Sequence, residues 1–470
     1  MARVLEILEP ILRFMPEVEK PKQKLPLRNR LIWTIIILTI YFIMCEIPLY
    51  GIIGALGYDP FIYMRWLFAS RRGTLMELGI GPIVTAGLIM QLLVGSRLIE
   101  VDLANPRDRA LFTATQKFMA IIWAAIQSIS YILGGAFGQL NMQVALLVFT
   151  QLMIATLILM LLDETVQKGW GIGSGVSLFI AAGIAQQIFW ETFSPIVGGD
   201  GKSVGVIPYT IQTLLGGGGI SELFIRQYDL PSLTGLIATI LILLLIVYME
   251  GTRIEIPISI AKYRGIRTKL PLKLLYVSNI PILFTSMLFV DVQIISLLIW
   301  RQFNPENSNI LLNLIGTFNA TTNTPIGGLA YYTKPPSGLT SLVNDPLHVL
   351  IYSILLIVSS VFFAIIWVQA SGLSPKEQAE QLVKSGFQIP GFRGSPKVIE
   401  EVLERYIPTL TVLSGLIVGV ISMVADIFGA IGSGMGILLV VGIIYQYWSM
   451  LMREQMMEFY PLLKRIVGEK

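Results

Sequence analysis

The sequence predicts an all-α polytopic membrane protein of ten transmembrane helices, divisible into two five-helix sets, the second inverted. Three observations predict it. The chain is 54% hydrophobic and only 14% charged, with a mean hydropathy of +0.71, whereas soluble domains are about a quarter charged. Ten stretches are apolar over the roughly 20 residues needed to cross a bilayer. Lys and Arg are also asymmetric between alternate connections, 27 of the 34 lying on the N-terminal side. That is the positive-inside pattern, and it predicts cytoplasmic N- and C-termini.

Residues 1–28 are expected to form a cytoplasmic segment. In ARVLEILEPILRFM, Leu5, Leu8, Leu12 and Met15 recur at helical spacing, too short to span and suited to lying flat on the membrane. The stretch Lys20–Arg30 is a basic linker that anionic headgroups attract. No apolar core with a small-residue cleavage site precedes the first span, which is expected to serve as its own insertion signal. Spans near 30–48, 79–97, 112–134, 141–162 and 174–192 make an N-terminal half over 29–192. The fifth is the weakest, because Gln186 and Gln187 sit inside it. An outer loop, 193–232, carries the run Gly216–Gly219. The C-terminal half, 233–455, has spans near 233–250, 274–298, 347–370, 407–427 and 435–453, and a cytoplasmic tail, 456–470, follows.

Five spans per half is odd, so two related halves would lie upside down to one another. That plan recurs in transport proteins, with the pathway at the repeat interface. Span two opens with Leu78–Pro82 (LGIGP) and its counterpart, span seven, contains Ser278–Pro281 (SNIP), a matched pair of Gly/Pro interruptions. A second long outer loop, 301–346, holds Asn319-Ala-Thr321, a glycosylation triplet of a kind common by chance. Cytoplasmic loop 251–273 alternates apolar and polar residues through Arg253–Ile260, as a β-hairpin arm does. Its tip carries Lys262, Arg264, Arg267 and Lys269. Loop 371–406 reads as a short helix and then a Gly/Pro turn around Arg393. Topology signalling accounts for a few basic residues; a structured tip with four suits docking to a polyanion.

The sequence lacks the Walker A, G-x-S-x-G, H-E-x-x-H and dinucleotide fingerprints. With one cysteine, Cys45, and one histidine, His348, neither a disulfide framework nor a Cys/His metal site is expected. The Gly169–Gly175 stretch (GWGIGSG) sits at a membrane boundary without a Gly-Lys-Ser/Thr ending, so its glycines are read as permitting tight re-entry into span five. Glu46, Asp163, Glu164, Glu250 and Asp426 lie at span ends, and Asp291 is the deepest carboxylate. Ion-coupled carriers keep ionisable relays at mid-depth. Their scarcity here favours a passive, apolar-lined route over a secondary transporter.

Three long stretches carry a specific resemblance. Leu78–Leu93 (LGIGPIVTAGLIMQLL), Leu161–Gly183 (LLDETVQKGWGIGSGVSLFIAAG) and Arg405–Trp448 resemble SecY, the large subunit of the Sec protein-conducting channel, in its archaeal and eukaryotic form. The resemblance implies two inverted five-helix halves around an hourglass pore, closed by a ring of aliphatic side chains and a short plug helix. Carried over by motif, the ring is Ile80, Val84, Val176, Ile180, Leu283 and Leu439. Each of its two i, i+4 pairs shares a helix face. The plug matches about 59–72, with Phe61, Met64, Arg65, Leu67 and Phe68. The lateral gate's polar cluster resembles Thr85, Gln127 and Asn279, and ribosome docking falls to Arg264, Arg267 and Arg393. The resemblance further implies no cofactor and no enzymatic activity. It implies SecE-type and SecG or Sec-beta-type small subunits, nascent secretory and membrane polypeptides as passengers, and the cell membrane as location. A membrane insertase without a through-pore would need neither ring nor plug.

Overall fold

The computed structural model describes residues 15–459 except 24, 53–64, 66–68, 96–97, 100, 102–104, 139, 200, 217–218, 225, 227–229, 261–265, 278, 321–322, 337, 386 and 389–395. The amphipathic segment before Met15, the plug positions Phe61, Met64, Leu67 and Phe68, and the docking positions Arg264 and Arg393 lie outside the described residues.

In chain order the helices are α1 (Leu27–Glu46), α2 (Gly81–Gly95), α3 (Pro106–Leu133), α4 (Met142–Gln167), α5 (Gly175–Phe193), α6 (Val206–Leu215), α7 (Ile220–Phe224), α8 (Leu233–Gly251), α9 (Asn279–Phe303), α10 (Ile310–Ile315), α11 (Gly328–Tyr332), α12 (Leu339–Asn344), α13 (Pro346–Ala370), α14 (Pro375–Lys384), α15 (Pro396–Ile427) and α16 (Gly434–Phe459). Among the described residues nine are long and apolar enough to cross a membrane. With the shorter apolar α2 they account for the ten expected spans. Several start on a side-chain cap and a proline at the first turn, where the missing N–H costs nothing. Asn105 accepts from the Arg107 amide ahead of Pro106, and Asp345 from the His348 amide ahead of Pro346.

Contacts between helix ends fix the alternation. At the face where α1 begins (the near face), Arg30 donates to the Gly171 carbonyl beyond α4 at 3.1 Å and pairs with Glu454 of α16. At the opposite, far face, Tyr50 beyond α1 meets Gln151 of α4 at 2.9 Å. The start of α8 lies beside Gly429 beyond α15, and so does Gly338 at the start of α12, which leads into α13. Within the bundle, α13 and α15 approach most closely at Gly415 and Gly419, a Gly-x-x-x-Gly pair. A Cβ on Gly415 would stand 2.8 Å from Val361 Cα, and Ser360 donates to the Gly415 carbonyl at 3.0 Å. Small residues let membrane helices gain dispersion energy backbone to backbone.

Several boundaries differ from the sequence reading by five residues or more, and two of them shape the near face. α15 starts at Pro396 rather than 407 and runs through Pro408 for 32 residues. Its first three turns are amphipathic, burying Ile399, Leu403 and Ile407 against Ala379 of α14 and Ile256 and Leu272 of the hairpin. α9 starts at Asn279 rather than 274, because the chain leaves the hairpin through bends that bury Leu275 and Val277.

The hairpin is present: β1 (Arg253–Ile260) and β2 (Ile266–Lys273) pair antiparallel, Arg253 opposite Lys273 and Ser259 opposite Arg267. A strand the sequence did not signal joins them. Among the described residues, β5 (Phe387–Gln388), which follows the short far-face pair β3 (Thr317–Phe318) and β4 (Pro325–Gly327), pairs with β1 at Ser259 and Ile260. The two basic connections therefore share one sheet at the near face.

Candidate functional site

The approach to α2 is built from turns. Leu49 donates to the Gly73 carbonyl at 2.8 Å and Leu75 to that of Ile47 at 3.0 Å, tying residues 69–78 to the end of α1. Tyr41 donates to the Ala69 carbonyl at 3.2 Å. Gly79 adopts φ +54°, open to glycine at low cost, and the next residue, Ile80, accepts from the amides of Ile83 and Val84. Ile80 thus stands just before α2, its carbonyl accepting the first bonds of the helix, with Val84 one turn on. Of the plug positions read from the sequence, Arg65 is described: its guanidinium meets the Glu77 carboxylate at 2.7 Å, with Glu77 wholly buried.

The re-entry into α5 is capped. Ser174 accepts from the Ser177 amide, Asp163 from that of Val176 at 2.9 Å, and Tyr447 of α16 donates to the Ser174 carbonyl at 2.9 Å. These bonds fix the height of Val176 and Ile180. Leu283 stands in the second turn of α9 and Leu439 in the second of α16. All six residues fall in one contiguous apolar cluster. Ile80, Val84, Ile180 and Leu439 are buried within it, and Val176 and Leu283 pack against it half-buried. The six come from four helices of both halves, within a core to which α1, α3, α4, α8, α13 and α15 also contribute.

A seam runs between α2 and α3 on one side and α9 and α13 on the other. At mid-depth, Thr85 donates to Asp291 Oδ2 at 3.3 Å and Gln127 to Asp291 Oδ1 at 3.4 Å. At the far face, the Arg301 guanidinium donates to the Gly134 carbonyl at the end of α3. At the near face, Gly95 of α2 lies against Ala370 and Ile366 of α13. Two of the three polar residues read from the sequence therefore meet, through a carboxylate that had been noted only for its depth. Asn279 is elsewhere: it lies over Gly442 of α16, where a Cβ would stand 1.8 Å from its Oδ1. The signal for Asp291 was its isolation among charge-free span centres.

At the near face, Lys117 meets Glu164 at 2.7 Å, Lys168 meets Glu164 at 3.5 Å and also pairs with Glu17, and Val18 donates to Glu164 at 3.3 Å. The hydrogen bond and charge of Lys168 hold the Glu17 carboxyl below its ordinary range. No group of His, Cys, Asp and Glu suited to a metal occurs among the described residues.

A ten-span bundle with an apolar centre and a seam closed by few polar contacts is the architecture of a membrane channel able to part sideways. A family model described as SecY matches residues 74–448, and one described as the plug domain of Sec61p matches 40–73. The protein translocase subunit SecY of Pyrococcus furiosus is 40% identical across 98% of this chain and 99% of its own. A solved protein-conducting channel superposes with a TM-score of 0.82 at 40% identity, covering 97% of this chain and 98% of that one. Sec61 from a canine ribosome-channel complex does so at 0.80 and 39%, with the same coverage. The chain belongs to the SecY family.

Proposed function

We propose that this chain is the channel-forming subunit of a Sec translocon, passing unfolded polypeptides across the membrane and releasing hydrophobic segments sideways into lipid. Its N- and C-termini face the cytoplasm of a plasma membrane, as the asymmetry of Lys and Arg supports. Ile80, Val84, Val176, Ile180, Leu283 and Leu439 act as the constriction. An apolar ring cannot replace an ion's hydration shell, yet branched side chains mould to any passing chain. The segment around Arg65 closes the pore from the far face, and its ion pair with Glu77, three residues before Ile80, supports that reading. Arg264, Arg267 and Arg393 dock ribosomal RNA. The pairing of β5 with β1 supports a shared docking surface, because it sets Phe387 and Gln388, the latter five residues before Arg393 in the sequence, against the hairpin. A SecE-type subunit and a second subunit of SecG or Sec-beta type complete the assembly. The chain is a conduit rather than an enzyme, its driving force supplied by partners.

The observation that carries this reading is the bridge from Thr85 and Gln127 to Asp291 across the seam. Cysteines at positions 85 and 291, in a Cys45→Ser background, test it. Oxidation is expected to lock the seam and stop translocation, and reductant to restore it. Translocation that proceeds at full rate with the cross-link formed contradicts a gate at this seam.

A further inference from the structure

Helix α6 follows α5 through a short far-face turn. The Gly205 amide donates to the Ser194 carbonyl at 2.9 Å, so the start of α6 is pinned to the residue that follows α5. Trp190 and Phe193, in the last turn of α5, are exposed, as aromatic residues are at a bilayer's headgroup level.

α6 has two faces. Val206, Tyr209 and Thr213 are buried against the rest of the far-face unit. Polar groups around that unit bond to one another, while Gln212 and Glu222 remain exposed. Arg226 donates to the carbonyls of Ser203, Val204 and Pro231 while stacking 3.9 Å from the Tyr209 ring centroid. Gln212 accepts from the Ser203 amide, and Lys202 reaches Thr213 at 3.3 Å. The remaining sector is Ile207, Ile211, Leu214 and Leu215, at spacing i, i+4, i+7, i+8, with exposures rising from 36% to 84%. Such a sector is costly in water. It carries no charge, and it is continuous with the exposed aromatic end of α5, itself part of the surface of a membrane-spanning helix.

We propose that α6 is an interfacial helix, with Ile207, Ile211, Leu214 and Leu215 immersed in the acyl region of the far leaflet. Its occupant is lipid hydrocarbon rather than a charged headgroup. The helix anchors the 194–232 unit at a fixed depth, and with it the start of α8 beyond Ser232.

Spin labels on single cysteines at 211 and 214 test this, in full-length Cys45→Ser protein assembled with its small subunits. A label at 222, where the Glu222 side chain is 54% accessible, is the aqueous control. The complex is reconstituted in vesicles of phosphatidylcholine alone or with phosphatidylglycerol. Collision with oxygen is expected to exceed collision with a water-soluble nickel chelate several-fold at 211 and 214. At 222 the order reverses, and the anionic lipid changes neither result. Access of nickel to 211 and 214 as free as at 222 overturns the proposal. So does shielding of both positions from both reagents, which marks a protein cover, or immersion that needs the anionic lipid.

Discussion

Thr85 on α2 donates a hydrogen bond to Asp291 on α9 across 3.3 Å, joining residues 206 positions apart in the chain. Gln127 on α3 donates to the other oxygen of the same carboxylate. One side chain thus gathers both helices of one wall onto the helix facing them. Hydrogen bonds between membrane helices contribute about 0.6–2 kcal/mol each, strong enough to hold a seam and weak enough for a lipid-seeking segment to part it.

Replacing Asp291 with leucine removes both bonds and leaves the Thr85 hydroxyl and the Gln127 amide buried without that acceptor. The hydrophobicity that a signal sequence needs to open the channel is expected to shift. Asp291→Asn, which keeps one acceptor oxygen and places an NH2 donor where the other stood, is expected to stay nearer the original threshold than Asp291→Leu. A panel of signal sequences graded in leucine content, read by translocation of a reporter, separates the two. An unchanged threshold in Asp291→Leu at normal expression removes Asp291 from the gate.

The Arg65–Glu77 pair ties Arg65, the one described residue of the five named for the plug, to the residue three before the ring. Breaking a buried pair by removing one partner costs about 3–5 kcal/mol. Glu77→Ala is therefore expected to raise ion leakage through the resting channel in reconstituted vesicles. The exchange Arg65→Glu with Glu77→Arg is expected to recover part of the seal. Leakage unchanged in Glu77→Ala would place the seal elsewhere.

Much of this was legible in the sequence, for physical reasons. A bilayer forces every spanning backbone to satisfy itself in an apolar helix, so the spans stand out, and Gly79, Gly81 and Pro82 mark where α2 starts late. The hairpin announced itself by alternation. What stayed hidden depends on distant partners. Nothing near Phe387 signals its pairing with Ile260. Asn279 sits in a recognisable motif, yet its side chain lies on Gly442 of α16 rather than at the seam. Local motifs identify helices; which polar groups meet is settled by the packing of helices far apart in sequence.

Docking through Arg264, Arg267 and Arg393 makes ribosome affinity depend on salt. Each basic residue on a phosphate is expected to contribute about one to the slope of log affinity against log salt. Arg393→Glu and Arg267→Glu are both expected to weaken binding and flatten that slope, as read by co-sedimentation across a salt series. A slope identical to that of the unaltered channel contradicts their role.

Residues 16–19 are held to the near face through Glu17, Lys168 and Glu164. Because folding lowers the Glu17 pKa, its contribution is complete above the ordinary carboxylate value. That contribution is lost as pH falls through the lowered value. Protection of the peptide containing Val18 against hydrogen exchange, relative to the intrinsic rate at each pH, is expected to fall on acidification through that window, and Glu17→Gln is expected to lower it already at neutral pH. Protection indifferent to both would show that Glu17 does not hold the segment.

The central claim is that the apolar centre built from Ile80, Val84, Val176, Ile180, Leu283 and Leu439 is where a polypeptide passes. A photoreactive residue at 80, 84, 176 or 180, in the assembled complex engaged with a stalled secretory chain, tests it most directly, with exposed Ile240 of α8 as the control. Cross-links to the stalled chain from all four positions, and none from 240, are the expected result. Four silent positions in an engaged complex would contradict the assignment.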